Sequence, residues 1–113
     1  MMKKIEAIVR PGKLETIKEA LSKLGIRGLT VSNILGCGNQ KGYTEIYRGQ
    51  EVKIQLLPKI RLEIVLPDEL AEEAIDAIIE TARTGNVGDG KIFVYDVQEA
   101  IRIRTGDKGL SAL

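Results

Sequence analysis

The chain has 113 residues, 43% hydrophobic and 29% charged, and its 17 basic and 16 acidic side chains leave a net charge of +1. The length suits a single domain, and the balanced charge excludes a broad nucleic-acid-binding face but not one local anion pocket. A single cysteine, no histidine and no long apolar segment exclude an internal disulfide, imidazole chemistry and a membrane span, so we expect a cytoplasmic protein.

The first half of the chain predicts a strand, a helix and a second strand. Residues 3–10 are rich in strand-forming residues and stop at Pro11. Apolar residues then recur three or four positions apart, which predicts one apolar helical face that ends near Gly25. This face comprises Leu14, Ile17, Leu21 and Leu24. Residues 28–36 predict the second strand.

The second half of the chain repeats that order. Residues 59–66 alternate apolar and polar side chains, which predicts a half-buried strand. Residues 67–83 begin with a proline and acidic residues, as many helices do, and Gly85 follows as a stop signal. Residues 91–97 predict the fourth strand of the pattern.

A strand–helix–strand unit that occurs twice indicates the fold class. It favours an α+β, ferredoxin-like βαββαβ sandwich, in which an antiparallel sheet carries both helices on one face. The alternative, a small doubly wound sheet, would need more than four strands. Because the second face of the sheet would lack cover, we expect an oligomer.

Residues 83–91, the glycine-rich loop, join the second helix to the last strand. They contain the pattern G-x-x-x-x-G-K from Gly85 to Lys91, but Ile92 follows where a Walker A loop has Ser or Thr. The order helix–loop–strand is also the reverse of such a loop. Glycine turns can still aim several amides at one anion, and Lys91 adds a positive charge. The alternative is a helix end followed by a turn, with Lys91 in solvent.

Residues 102–109, the C-terminal basic loop, are a second candidate site. Arg102 and Arg104 are two positions apart, so in an extended segment both guanidinium groups leave the same face. Ile101 and Ile103 would then anchor the opposite face. Two guanidinium groups on one face suit a phosphate or carboxylate clamp. An edge strand protected by charge is the alternative.

Residues 37–57, the long loop, are a third candidate and lie between the second and third predicted strands. About twenty residues are too many for a hairpin turn, and loops of this length are usually functional or disordered. Charged and apolar residues mix in it with only weak periodicity, as in a loop that becomes ordered on binding a ligand or partner. The alternative is a β-ribbon extension without a particular role.

Five segments resemble the PII family of nitrogen regulatory signal-transduction proteins, nearly from end to end. The last two of them are highly specific in combination. The resemblance implies one PII-type domain over residues 1–113, a ferredoxin-like homotrimer and a nitrogen-regulatory function without enzymatic activity. The five segments are KKIEAIVRPGKL, GLTVSNILGCGNQKGYTEIYRG, LLPKIRLEIVLPDE, TARTGNVGDGKIFVYDV and AIRIRTGDKG.

The resemblance also implies that ATP or ADP lies in each of three clefts between subunits. In this implied site the backbone of the glycine-rich loop curls around the phosphates, while Arg102 and Arg104 reach in from the neighbouring subunit. The implied nucleotide-binding residues are Thr30, Gly38, Asn39, Val65, Gly88, Asp89, Gly90, Lys91, Arg102 and Arg104.

A second implied site, for 2-oxoglutarate, lies at the base of the long loop and forms when ATP and Mg²⁺ are bound. Gln40 would be a magnesium ligand together with ATP phosphates and 2-oxoglutarate. ATP with 2-oxoglutarate would favour one loop conformation and ADP another, and target proteins would respond to the difference. The implied targets are ammonium transporters and nitrogen-assimilation enzymes, with no nucleic acid and no membrane insertion. The implied 2-oxoglutarate contacts are Gln40, Lys41, Gly42 and Lys59.

The chain departs from the family pattern in two places. Many bacterial members carry a modified tyrosine where this chain has Val52, and some cyanobacterial members a phosphorylated serine where it has Gln50. We therefore expect no covalent modification and control by ligands alone. Asn39 stands where many members have an arginine near the γ-phosphate, so we expect weaker ATP binding relative to ADP.

Other functions are weighed against this one. An ATPase or phosphotransferase would use the same phosphate site, but no base–nucleophile pair is evident in the spacing. An amino-acid-binding regulatory module of the same fold would not need Lys91, Arg102 and Arg104 together. An RNA-binding version of the fold is disfavoured because its strands lack exposed aromatic residues.

Overall fold

The computed structural model describes residues 1–37, 44–47, 50–54 and 56–113. None of the helices in these parts of the chain is long and apolar enough to cross a membrane. Short 3₁₀ helices occupy Pro11–Lys13 and Gly109–Ala112. The strands and α-helices, in chain order, are β1 (Met2–Val9), α1 (Leu14–Lys23), β2 (Thr30–Gly36), β3 (Thr44–Tyr47), β4 (Gln50–Ile54), β5 (Leu57–Pro67), α2 (Asp68–Ala82) and β6 (Gly90–Asp96).

Four strands form one antiparallel sheet in the order β2–β5–β1–β6. β1 lies inside the sheet, with Ile5 opposite Ile64 of β5 on one side and opposite Val94 of β6 on the other. All three strand pairs are antiparallel. This confirms the predicted α+β, ferredoxin-like class, and the doubly wound alternative is wrong because such a sheet is mostly parallel.

The two helices cover one face of the sheet and enclose the core. The predicted alternation along β5 is confirmed, because its four apolar side chains on this face are 5% exposed or less. Burying each aliphatic side chain of this size contributes about 1.5–3 kcal/mol. The side chains that form the core from β5 and the two helices include Ile60, Leu62, Ile64, Leu66, Ile17, Leu21, Ala74 and Ile78.

The other face of the sheet, the open face, carries polar and aromatic side chains. Residues directly opposite each other in antiparallel strands point to the same side, so Thr30, Glu63, Glu6 and Phe93 form one row across this face. Phe93 and Tyr95 on β6 are 44% and 46% exposed there, so the expectation that the strands lack exposed aromatic residues is wrong. The exposure of these described residues agrees with the prediction that one chain leaves this face uncovered, and the trimer stays a prediction.

A separate two-stranded sheet, β3 with β4, lies within the long loop. Tyr47 pairs with Gln50, and the register shifts between Thr44 and Ile46. The described backbone therefore takes the ribbon form that the sequence left as an alternative. The boundaries of the long loop and its role in binding partners stay predictions.

Candidate functional site

The glycine-rich loop enters β6 through three left-handed backbone positions. Gly85, Gly88 and Gly90 have φ angles of +90°, +102° and +115°. Side-chain-bearing residues rarely adopt such angles, whereas glycine does so freely. At Gly90 there is a steric reason as well, since a Cβ would lie 1.7 Å from the carbonyl oxygen of Ile8 on β1. Glycine is therefore required where the loop joins the sheet.

Two cations beneath the loop hold its carbonyl groups. Lys59 Nζ donates to the Gly88 carbonyl at 2.8 Å, and Arg10 Nη2 donates to the Val87 carbonyl at 2.9 Å. In a trans peptide the carbonyl and the following amide point in opposite directions, and none of the described peptide bonds is cis. The Gly88 amide therefore points away from Arg10, and the Asp89 amide points away from Lys59.

The Asp89 carboxylate is turned into the loop rather than outwards. It accepts hydrogen bonds from the Thr84 amide at 2.8 Å, the Gly85 amide at 2.9 Å, the Thr84 hydroxyl and Arg10 Nε at 3.2 Å. The bonds from Thr84, followed by those from Gly85 and Arg10, hold the pKa of Asp89 well below its usual range despite partial burial. At neutral pH the Asp89 carboxylate is therefore ionised, and its hydrogen bonds connect Thr84, Gly85 and Arg10.

Asp89→Asn is expected to lower stability in a pH-dependent way. Because the folded-state pKa lies below the unfolded value of about 3.9, the ionised carboxylate stabilises the fold above that pH, and this contribution is lost as pH falls toward the folded-state pKa. Urea unfolding should show a lower free energy of unfolding than wild type near neutral pH and a smaller gap in acid. A gap independent of pH would contradict this account.

Lys59 is the only buried charged residue in the described parts of the chain, with 8% of its surface exposed. Burial lowers the pKa of its ammonium group, Arg10 nearby lowers it further, and Asp89 partly offsets both. Its acceptor, the Gly88 carbonyl, is neutral. An anion that reached Nζ would therefore be held strongly, because it would neutralise a poorly solvated charge.

Other predicted site residues lie away from the glycine-rich loop within one chain. Thr30 on β2 is opposite Glu63, and Val65 is two positions further on, so Thr30 and Val65 both face the open side of the sheet. Lys91, the last residue of the glycine-rich loop, is opposite Ile8 and faces the same side from β6. Because β2 and β6 are the two edges of a four-stranded sheet, three strand spacings separate Thr30 from Lys91, so the two residues are at least about 14 Å apart. One chain spreads these residues across the open face.

The C-terminal basic loop is a turn, so the predicted extended segment with two anchoring isoleucines is wrong. Ile101 and Ile103 are 58% and 99% exposed. The Gly106 amide donates to the Arg102 carbonyl at 2.7 Å, which closes a local turn that an extended strand cannot form. Arg104 lies inside this turn, so Arg102 and Arg104 do not share one face of an extended strand. Their role in binding nucleotide stays a prediction.

Several predicted site residues lie outside the described residues, so the magnesium ligand and most of the 2-oxoglutarate contacts stay predictions. In the parts of the chain that the structure does describe, no three His, Cys, Asp or Glu side chains are grouped as they would be around a metal ion. The predicted residues outside the described ranges are Gly38, Asn39, Gln40, Lys41 and Gly42.

Arg10 belongs to this site, and reasoning from the sequence missed it. It ends the first strand directly before Pro11, where a basic residue is indistinguishable from a solvated strand end. Only the pairing of β1 with β6, with Val9 opposite Gly90, brings Arg10 beside the glycine-rich loop. No signal in one sequence reveals a contact between residues this far apart in the chain.

Comparisons with known proteins place this geometry in a family. Residues 2–107 match the family model for nitrogen regulatory protein P-II. Nitrogen regulatory protein P-II of Haemophilus influenzae is 56% identical over 112 residues, covering 99% of this chain and 100% of the relative. Nitrogen regulatory protein P-II 1 of Escherichia coli K12 is 53% identical with the same coverage. The crystal structure of Arabidopsis thaliana PII bound to citrate has a TM-score of 0.82 at 42% identity, over 99% of this chain and 92% of that one.

Proposed function

The chain belongs to the nitrogen regulatory protein P-II family, and from this premise we propose that it senses ATP, ADP and 2-oxoglutarate. It is a regulatory signalling protein and not an enzyme, as the names of its family and relatives indicate. In the proposal, the long loop at residues 37–57 contacts the regulated proteins. The proposed targets are an ammonium transporter, enzymes of nitrogen assimilation, or both.

The observation that carries the proposal is the orientation of the peptide groups in the glycine-rich loop. Lys59 and Arg10 hold two successive carbonyls, so the amides of Gly88 and Asp89 point away from these two cations. Outward amides in a left-handed glycine turn form the kind of concave surface that binds phosphate oxygens. Lys91, the next residue after Gly90, adds a positive charge beside them.

The proposed nucleotide site is completed by a neighbouring copy of the chain in a homotrimer. Within one chain Thr30 and Val65 lie away from the glycine-rich loop, on the same open face. An unpaired sheet edge can pair with another chain, and in the proposed trimer the β2 edge of one copy lies close to the glycine-rich loop of its neighbour. Arg102 and Arg104 of the neighbour would then add guanidinium groups to the phosphates.

The proposed 2-oxoglutarate site adjoins the phosphates through Lys59. The solved Arabidopsis relative is bound to citrate, a polycarboxylate, which is consistent with an anion site on this fold. In this chain the Lys59 ammonium would pair with the distal carboxylate of 2-oxoglutarate. Gln40 and the amides of Lys41 and Gly42 would meet the other end, with Mg²⁺ held between Gln40, the keto acid and the ATP phosphates.

ATP with 2-oxoglutarate and ADP alone are proposed to favour different conformations of the long loop. A ligand shifts such an equilibrium only by its difference in affinity for the two states. In the proposal the γ-phosphate, which only ATP carries, completes the Mg²⁺ coordination that 2-oxoglutarate needs at the base of the loop. This dependence would make the protein an allosteric reporter of energy and nitrogen status.

Isothermal titration calorimetry tests this function with ATP–Mg²⁺, ADP, and 2-oxoglutarate added to each nucleotide-loaded form. We expect both nucleotides to bind, and 2-oxoglutarate to bind only with ATP and Mg²⁺ present. Lys91→Gln should weaken both nucleotides about tenfold or more, because a charged hydrogen bond contributes about 1.5–3 kcal/mol. Lys18→Gln, on the exposed face of α1, is the matched control and should change nothing.

The proposal fails if the wild-type protein binds neither nucleotide. Binding of free glutamine in the absence of nucleotide would instead favour the amino-acid-binding regulatory module considered from the sequence. If nucleotides bind and 2-oxoglutarate never does, the protein senses ATP and ADP only. Asn39, which stands where many family members have an arginine, is then the first residue to substitute.

A further inference from the structure

Arg10 and Asp89 form an ion pair beneath the glycine-rich loop, with Arg10 Nε 3.2 Å from the carboxylate. We infer that the two are positioning residues that hold the loop in its nucleotide-binding shape, and that the Asp89 side chain does not contact the ligand. This inference rests on the proposed nucleotide site. It changes the role of Asp89, which the family resemblance places among the groups around the phosphates.

The contacts of the Asp89 carboxylate leave no lone pair for a ligand. One oxygen accepts the amides of Thr84 and Gly85, and the other accepts the Thr84 hydroxyl and Arg10 Nε. An ionised carboxylate offers about four acceptor positions, so these four donors satisfy it. Its inward orientation, with 22% of the side chain exposed, also keeps a negative charge away from the side where phosphates would bind.

The Arg10 guanidinium holds two different parts of the loop at once. Its Nε donates to the Asp89 side chain and its Nη2 donates to the Val87 carbonyl at 2.9 Å. A planar guanidinium presents these donors in a fixed arrangement, whereas a lysine ammonium is a compact point charge on a flexible stem. Arg10 therefore sets the distance between the Val87 carbonyl and Asp89, and a lysine there could replace the charge but not this geometry.

Loss of the pair should lower the fraction of the loop that is ready to bind. Turning the Val87 carbonyl toward Arg10 is what turns the Gly88 amide outwards. Without that constraint the backbone at Gly85 and Gly88 has many accessible conformations, because glycine restricts φ so little. The apparent dissociation constant rises in proportion as the binding-competent fraction falls.

The two roles that Asp89 could have predict opposite results for Asp89→Asn. A carboxylate that merely lies near the phosphates repels them, so its removal would strengthen nucleotide binding. A carboxylate that positions the loop holds the binding amides in place, so its removal would weaken nucleotide binding. The sign of the change in affinity therefore distinguishes the roles.

Calorimetric titration of ADP into Asp89→Asn and Asp96→Asn measures this sign. Asp96 is the matched control, because it is also ion-paired, to Lys3, but lies at the far end of β6. We expect the dissociation constant of Asp89→Asn to rise about tenfold, as it does when the competent fraction falls to about a tenth. Asp96→Asn should match wild type. ADP binding by Asp89→Asn that equals or exceeds that of wild type would overturn the inference.

Arg10 variants test the guanidinium geometry and the pairing. Arg10→Lys should weaken ADP binding despite its retained charge, and a wild-type affinity in this variant would overturn the role assigned to the two donors. The double variant Arg10→Lys with Asp89→Asn should bind ADP no more weakly than the worse single variant, because the two residues act as a unit. Losses of ADP-binding free energy that add fully in the double variant would show that Arg10 and Asp89 act separately, and would overturn the pairing.

Amide hydrogen exchange without nucleotide separates this inference from the proposed function. In Asp89→Asn the amides of Thr84 and Gly85 should exchange about tenfold faster or more, while those of β1 and β5 stay as in wild type. Unchanged exchange at Thr84 and Gly85 would overturn the inference, and so would faster exchange spread over the whole sheet. If wild type fails to bind ADP, the proposed function fails, while the exchange result still decides whether Asp89 orders the loop.

Discussion

Gly90→Ala is expected to lower the free energy of unfolding by about 3 kcal/mol or more and to abolish nucleotide binding. The added Cβ would lie 1.7 Å from the oxygen and 2.8 Å from the carbon of the Ile8 carbonyl. These atoms belong to the backbone of a central strand and cannot rotate away like the end of a flexible side chain. β6 would have to separate from β1 at the pair Val9 and Gly90, where the proposed phosphate loop begins.

Gly85→Ala is the matched control for this effect. Its φ of +90° is also left-handed, but no atom lies within 4 Å of the Cβ position. Backbone strain alone should cost about 1–2 kcal/mol there. Urea unfolding of both variants measures the difference, and calorimetry with ADP measures the loss of binding. Equal destabilisation by the two substitutions would contradict a steric requirement at Gly90.

Lys59→Met is expected to weaken the proposed 2-oxoglutarate binding strongly while raising the stability of the ligand-free protein by about 1 kcal/mol. The ammonium is buried against a neutral carbonyl, and burial lowers its pKa. Methionine is unbranched, apolar and of similar length, so it avoids the free-energy cost of burying the ammonium group. The Gly88 carbonyl is only half-buried and can accept a water instead. Losing a charged partner of a buried carboxylate typically costs 2–5 kcal/mol, so affinity for 2-oxoglutarate should fall at least about thirtyfold.

The sign of the pH dependence gives a further check on Lys59. Its folded-state pKa is lowered below the unfolded value of about 10.4, so its ammonium destabilises the fold at neutral pH and ceases to do so as pH rises through both values. The stability advantage of Lys59→Met should therefore shrink in alkali. Thermal unfolding of wild type and Lys59→Met, near neutral pH and near pH 10, measures this difference in stability.

Lys4→Met is the matched control, because Lys4 lies on the open face but pairs with the Glu63 carboxylate at 2.6 Å. That carboxylate raises the pKa of Lys4, the opposite of the effect at Lys59. Lys4→Met should therefore bring no gain in stability. A gain as large as that of Lys59→Met would mean that apolar surface alone, and not the missing counter-charge, explains the effect.

The sequence by itself determined the four strands of the main sheet, the two helices, the core and the family. Apolar periodicity is a property of neighbouring residues, so the strand around Leu62 and the helical face with Ile17 and Leu21 followed from spacing alone. The same local information failed at the C-terminal basic loop. Two isoleucines and two arginines in alternation are too few to outweigh the turn that Gly106 closes on Arg102.

Only the tertiary structure decided how the glycine-rich loop is built. Arg10 and Asp89 are 79 positions apart, and Lys59 and Gly88 are 29 apart. The sequence pointed to Gly90 and Lys91 because glycine and a cation next to a strand suggest an anion site on their own. It could not show which carbonyls turn inwards, or that Asp89 faces the loop. Those orientations arise only when β1, β5 and β6 pair and bring the two cations beneath the same turn.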